Sequence, residues 1–306
     1  MSYPYLSDLI KSITGIDTPL HIPTFGLCVA LAMIVASTLL RRELSRLYAE
    51  GDIPPASISK IGSDRKKYIS EVPPQDVVSD LTFIVMLAGI LGARLFHILE
   101  HLDTFFADPV AMLLSTSGLS IFGGLIFGTC SGIFCVRKWQ LPFRSLLDAA
   151  APSMMIGYAI GRVGCQISGD GYWGIMANAE AKPSWLPTWL WSQTYDHNIY
   201  GEVIANPGVF PTPIYETAMA LFCFFILWKL RKNPFQAGWL FSVYLIFAGI
   251  ERFLIEQIRV NPVFKFSGIL MTQAEIISVT LFLIGIAGIT ICSERVTKKR
   301  TSLNEE

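Results

Sequence analysis

The stretch LLDAAAPSMMIGYAIGRVGCQISGDGYWG, residues 146–174, decides what kind of molecule this is. After Asp148 it runs apolar to Ile160, meets Arg162, and ends among glycines around Asp170. An arginine at the end of such a run is ordinary in water. Beside hydrocarbon it is expensive, at roughly 2.5–3.5 kcal/mol near mid-bilayer, and is kept for a partner or a task. Composition says which solvent applies: of 306 residues 52% are hydrophobic and 16% charged, with a mean hydropathy of +0.48. A soluble domain carries about 25% charged residues. The chain therefore reads as an all-α polytopic membrane protein.

Seven apolar segments reach the length of about 20 residues that a helix needs to cross roughly 30 Å of hydrocarbon. They lie near 22–40, 80–99, 117–136, 146–163, 212–229, 237–257 and 273–292. The fourth contains Pro152, whose freed backbone groups neighbouring helices would have to satisfy. Most of the 24 basic residues fall between alternate segments: in the 41–79 connection, in 137–145, in 229–236, and in the 293–306 tail. The positive-inside rule makes that side cytoplasmic. Seven transmembrane helices then place the N-terminus outside and the C-terminus in the cytoplasm, and the glycine stretch opens at the outer face.

Two connections are long. The 41–79 segment is rich in Pro, Ser and charge and reads as a flexible cytoplasmic connector. The 164–211 segment carries Trp173, Trp185, Trp189 and Trp191 among prolines. Tryptophan at that density beside a membrane marks headgroup level, so this part reads as a small cap on the outer leaflet. The zero formal net charge hides the asymmetry between the two sides, and no basic patch interleaved with aromatics points to nucleic acid.

Charges inside the apolar segments are the most informative feature: Arg94, Asp148, Arg162, Glu216, Glu251, Arg252, Glu256 and Arg259. Arg252, Glu256 and Arg259 stand at i, i+4 and i+7, the spacing of one helical face. Mutual neutralisation for insertion accounts for such a stripe about as well as function does. Several guanidinium groups at the outer interface nevertheless suit an anionic headgroup, because they match phosphate bidentately. Gly124, Gly128 and Gly132 recur every four residues, a face for close helix packing. The glycines of 161–174 are irregular, which favours a sharp turn or close backbone approach to a ligand. Six cysteines form no CxxC pair, and Cys165, with no histidine near it in sequence, reads as a small buried residue rather than a nucleophile.

These stretches together resemble the prolipoprotein diacylglyceryl transferase family, seven-helix bacterial membrane enzymes. The family signature GRxGNFxNxExxG is similar to GRVGCQISGDGYWG, preceded by LLDAAAP at 146–152. GARLFHILE (92–100), GLSIFGGLIFG (118–128), PTPIYE (211–216) and ERFLIEQIR (251–259) follow the family's order, with a weaker fit at HIPTFGL in the first segment. The resemblance implies transfer of the diacylglyceryl group of phosphatidylglycerol to the lipobox cysteine thiol of a prolipoprotein, in a bacterial cytoplasmic (inner) membrane. It implies neither a metal nor a cofactor, and its partners are the lipid and the prolipoprotein signal peptide.

Carried over residue by residue, the resemblance makes Arg162 and Arg252 the essential arginines, with Glu256 beside them and Asp170 where the family usually has glutamate. It assigns lipid binding to Arg162, Arg252, Arg259, Gly164, Gly169, Gly174, Gly123, Gly124, Tyr215 and Glu216. This chain departs from the family at Phe122, Cys165, Ser168, Phe210 and Pro213, where polar residues are usual. The base that takes the thiol proton stays open among Asp170, Glu216 and Glu256, with His97 behind them. Two alternatives stand beside the enzyme: a homologue that binds phospholipid or lipoprotein without catalysis, and a small-solute transporter using the buried charges.

Overall fold

The computed structural model describes residues 2–19, 21–61, 67–114, 120–266 and 269–294. The tail beyond 294 and the first residues of the third expected segment, 117–119, lie outside them. In chain order the elements are α1 (Leu6–Thr14), α2 (Thr24–Ala49), β1 (Ala56–Ile61), β2 (Lys67–Val72), α3 (Val78–Glu100), α4 (Leu102–Ala107), α5 (Pro109–Leu114) and α6 (Ile121–Lys138). There follow α7 (Phe143–Ser168), α8 (Thr188–Trp191), α9 (Thr212–Leu230), α10 (Trp239–Glu256), β3 (Val263–Phe266), β4 (Ile269–Thr272) and α11 (Gln273–Cys292). The chain is mostly helical, and each of the seven apolar segments falls on a long helix. Five are long and apolar enough to cross a membrane: Thr24–Ala49, Pro74–Glu100, Ile121–Lys138, Thr212–Leu230 and Gln273–Cys292. The other two, α7 and α10, have 26 and 18 residues and carry Asp148, Arg162, Glu251, Arg252 and Glu256, most of the charges within the apolar segments.

The residues form two compact units, one from 37–146 and one from 1–36 with 147–306. In the first, α3 and α6 pack backbone to backbone. A Cβ on Gly123 would sit 2.2 Å from the Gly92 carbonyl oxygen, and one on Gly92 would sit 2.6 Å from that of Gly123. Gly124, Gly128 and Gly132 also face α3, at ordinary contact distances of 3.5–3.7 Å. The four-residue glycine spacing is thus a packing face, and its tightest position, Gly123, lies just off that period.

The 41–79 connection is more ordered than its composition implies. α2 continues to Ala49, and ASISKI and KYISEV pair as antiparallel strands, Ala56 opposite Val72 and Ile61 opposite Lys67. The strand pair docks through the Ser57 N–H, which donates to the Trp139 carbonyl at 3.0 Å, while Leu44, Ile53, Ala56, Val77 and Val78 are buried.

In the second unit, Ala151, Met155 and Ala159 of α7 form a seam of one-turn steps. They pack with Ala220, Cys223 and Leu227 of α9 and Leu240 and Val243 of α10. Asp148 explains itself at the start of this seam: its carboxylate accepts from the Gly238 N–H at 2.7 Å and the Phe241 N–H at 2.8 Å. It serves the first turn of α10, whose donors have no partner within the helix. α7 does not stop where its apolar run stops. It continues through GRVGCQIS to Ser168, so the first half of the glycine stretch is helix and only 169–174 is turn. Small residues there let the helix lie against α2: a Cβ on Gly164 would come within 2.7 Å of the Cys28 Cβ. The amphipathic α1 was not anticipated, being too short to stand out as an apolar run.

Replacing Gly123 by Ala should lower stability by about 1–3 kcal/mol, because the added methyl overpacks the α3–α6 contact. Gly161→Ala, with no atom within 4 Å of the added Cβ, is the control and should be neutral or stabilising. Thermal unfolding of both variants in detergent measures the difference.

Candidate active site

The site is built where α7, α9 and α10 end. Its centre is Glu216, on the first turns of α9 and fully buried. Arg162 of α7 lies with its Nε 3.4 Å from Glu216 Oε2, and Arg259 approaches Oε1 with its Nη1 at 3.9 Å. Neither Arg162 Nε nor Glu216 Oε2 makes a hydrogen bond to another described residue. The contact is an ion pair without hydrogen-bond alignment, so the Arg162 donor keeps its capacity for another acceptor. The Tyr158 hydroxyl, one turn before Arg162, stands 3.0 Å from Glu216 Oε1 and 3.0 Å from Glu251 Oε1.

Aromatic rings hold the guanidinium groups from the other side. Arg162 lies over the Tyr158 ring at 5.0 Å and the Tyr172 ring at 5.2 Å, and Arg259 lies over the same Tyr172 ring at 4.8 Å. Two cations sharing one ring and one carboxylate are held close together despite their repulsion. Arg252 pairs with Glu256 at 2.9 Å, Glu256 accepts from the Asn261 amide at 2.7 Å, and Arg252 is near enough to Arg259 to act on it electrostatically.

The sequence spacing put Arg259 on the α10 face with Arg252 and Glu256, and the structure corrects this. α10 ends at Glu256, and Arg259 lies in an isolated antiparallel bridge with Gly174. Pro262 disfavours helical geometry at Asn261, and the bridge supplies the backbone partners instead. The Ile175 N–H donates to the Ile258 carbonyl at 2.8 Å, and the Gly174 N–H to the Phe210 carbonyl at 2.9 Å. Gly174 is required by this approach, since a Cβ there would be 2.6 Å from the Ile258 oxygen. Thr212 finishes the junction by donating its hydroxyl to the Tyr172 carbonyl at 2.6 Å. The turn itself uses Gly169 and Gly171 at φ 62° and 84°, a region that glycine enters without strain.

The sequence profile of the prolipoprotein diacylglyceryl transferase family matches residues 11–291. The chain belongs to that family. It is similar to the phosphatidylglycerol–prolipoprotein diacylglyceryl transferase of Leptospira interrogans serogroup Icterohaemorrhagiae serovar copenhageni, 29% identical over 284 residues that cover 84% of this chain and 77% of that protein. Proteins of the same name from Halalkalibacterium halodurans and Geobacillus kaustophilus are 32% and 31% identical. They cover 68% and 70% of this chain, and 69% and 76% of their own lengths.

With the diacylglyceryl transferase family as the frame, the expected residues sort by place. Arg162, Glu216, Arg259 and Gly174 come together, with Arg252 and Glu256 beside them. Asp170 is half-buried at the turn, its carboxylate accepting from the Tyr172 N–H at 3.4 Å and within electrostatic reach of Cys165. Gly169 packs on Ser2 and Asn198, and the Tyr215 hydroxyl donates to the Leu190 carbonyl. Gly123 and Gly124 belong to the other unit, where they pack on α3.

Phe122 is exposed, while the departures within the second unit are absorbed by packing. Buried Cys165 lies 3.6 Å from Arg162 Nη1, the Phe210 ring meets Trp191 edge-on at 5.1 Å, and Pro213 is buried in the first turn of α9. Sequence reasoning missed Tyr158, Tyr172 and Asn261 and left Glu251 outside the site. The four-residue step from Tyr158 to Arg162 was a readable signal for the first. Burial pushes the Tyr172 and Tyr195 phenols up from their ordinary range, so both stay protonated donors, Tyr195 to the Gln166 side chain at 2.8 Å. One group of possible metal ligands forms among the described residues. It comprises His97, Glu100 and His101 in the 37–146 unit, with ligand atoms within 4.8 Å of one another.

Replacing Glu216 by Leu leaves Arg162 and Arg259 buried without their shared anion. Loss of one partner from a buried pair costs about 3–5 kcal/mol. A matching fall in thermal stability is expected, larger than that of Arg252→Ala, whose side chain is partly exposed.

Proposed function

We propose that the protein transfers the diacylglyceryl group of phosphatidylglycerol to the lipobox cysteine thiol of a prolipoprotein. The observation that carries this is the Arg162–Glu216–Arg259 cluster beside the 169–174 turn. It gathers guanidinium groups around one buried carboxylate at the place where a phosphodiester would be recognised. The thiol sulfur forms a bond to the terminal glycerol carbon of the diacylglyceryl group. The carbon–oxygen bond to phosphate breaks, and the electron pair leaves on glycerol phosphate. Arg162 and Arg252 stabilise the charge that develops on that oxygen, an effect that is large where water is excluded. The nucleophile belongs to the substrate, so Cys165 has no covalent part, in keeping with its burial against Arg162.

The topology that suits this chemistry is seven crossings in a bacterial cytoplasmic (inner) membrane, N-terminus outside and tail inside, as a single transmembrane domain. α7 and α10 are the two charged crossings, shielded by pairing within α10 and with Glu216 of α9. The 164–211 segment is then an outer cap, and its exposed Trp185 and Trp189 suit the headgroup layer. Arg162, Asp170, Arg252 and Glu256 are the residues assigned to catalysis. Gly169, Gly174, Tyr215 and Arg259 shape or line the lipid site, and Gly164 supports it through packing on α2.

Purified protein in phosphatidylglycerol-containing nanodiscs, incubated with a synthetic lipobox peptide, should add one diacylglyceryl mass at the peptide cysteine by mass spectrometry. Arg162→Ala and Arg252→Ala should each reduce that product about 100-fold or more, the scale of losing a transition-state donor. Lipid binding by the wild type without any mass gain would instead support the non-catalytic homologue.

A further inference from the structure

The Tyr158 hydroxyl touches two carboxylates but owns one proton. It stands 3.0 Å from Glu216 Oε1 and 3.0 Å from Glu251 Oε1, and a hydroxyl donates a single hydrogen bond while its oxygen can accept others. If it donates to one carboxylate, the other contact is a hydrogen bond only when that carboxyl supplies a proton of its own. Two ionised carboxylates against one phenol oxygen, both buried, would leave a repulsive contact in low dielectric. We infer that Glu216, Tyr158 and Glu251 form a relay holding one proton beyond the phenol's own, carried at rest by Glu251 and leaving Glu216 as the charged member.

Geometry decides which end carries the charge. Glu216 has two guanidinium groups within 4 Å, Arg162 at 3.4 Å and Arg259 at 3.9 Å. Among the described residues Glu251 makes no ion pair within 4 Å, and the nearest cation on its own helix, Arg252, is engaged by Glu256 at 2.9 Å. The groups facing the pair are Tyr158 and Arg162 from α7, Cys223 from α9, Tyr244 and Arg252 from α10, and Arg259 and Tyr172 beyond the helix ends. With Glu251 neutral, three guanidinium groups, Arg162, Arg252 and Arg259, balance three carboxylates, Glu216, Glu256 and, at the turn, Asp170. A charged Glu251 would leave the site net negative and repel a phosphodiester monoanion.

The consequence for the reaction rests on the transferase reading. The ionised Glu216 holds Arg162 and Arg259 toward the phosphodiester, while the proton of the substrate thiol passes to the departing phosphate as sulfur attacks carbon. Glu251 acts through Tyr158 as a positioning residue. Donating its proton to the phenol oxygen commits the phenol proton to Glu216 and fixes the orientation of that carboxylate.

Infrared spectroscopy of the full-length protein in nanodiscs at neutral pH tests the relay without any need for activity. The expected result is a protonated-carboxyl carbonyl band that disappears in Glu251→Gln and shifts in Tyr158→Phe, which removes only the shared hydroxyl. The pH profile of peptide lipidation is the second readout. Ionisation of Glu251 as pH rises should impose a descending limb, which Glu251→Gln should move upward by about one pH unit or more, whereas Glu216→Gln should lower turnover about 100-fold or more. Absence of a Glu251-dependent band, or an alkaline limb unmoved in Glu251→Gln, overturns the proposal. Wild-type protein that shows the band but lipidates no peptide overturns the transferase reading and leaves the shared proton standing.

Discussion

The Glu216 carboxylate is the constraint on which the rest of the site depends. It is fully buried, and it stands between the guanidinium groups of two residues nearly 100 positions apart in the chain. Without it, Arg162 and Arg259 would repel across Tyr172. With it, a cluster of cations persists in a region of low dielectric, where unpaired charge is expensive. The remaining features serve this arrangement: the α7–α9–α10 seam brings Arg162 to Glu216, and the Gly174–Arg259 bridge brings the second cation from beyond the end of α10.

Much of the fold was legible because the bilayer leaves few choices. A run of about 20 apolar residues has to be helical, and all seven such runs are. Helix ends were harder to read, as hydropathy reports where greasy residues stop and not where backbone hydrogen bonds stop. α7 therefore runs past its apolar stretch to Ser168, and α10 closes at Glu256 before the charge pattern ends. The pairing of β1 with β2 was masked by composition, since proline, serine and charge signal a connector and the β-favouring Ile58, Ile61, Tyr68, Ile69 and Val72 form no clean alternation among them.

The site was legible in type more than in arrangement. Charged residues in an apolar chain announce themselves, so Arg162, Glu216, Arg252, Glu256 and Arg259 were all visible. Which of them meet was not, because the pairing of α7 with α9 and α10 is a tertiary fact. Tyr158 and Tyr172 carry no formal charge and passed as ordinary membrane aromatics. They are the rings against which the cations rest and, for Tyr158, the hydroxyl that joins two carboxylates. Family resemblance compensated for part of this by aligning short motifs, but it could not reveal a partner such as Glu251 that the motif comparison had left without a role.

The Asp148 contact gives α7 and α10 a common origin. Its carboxylate receives the first backbone donors of α10 while standing in the opening turns of α7, so the two helices run side by side in the same sense. Farther along, Tyr158 meets Glu251, and beyond both helices Gly174 bridges to Arg259. Three fastenings along one pair of parallel rods suppress both sliding and rolling. The pair behaves as a fixed jamb on which the arginine cluster is hung.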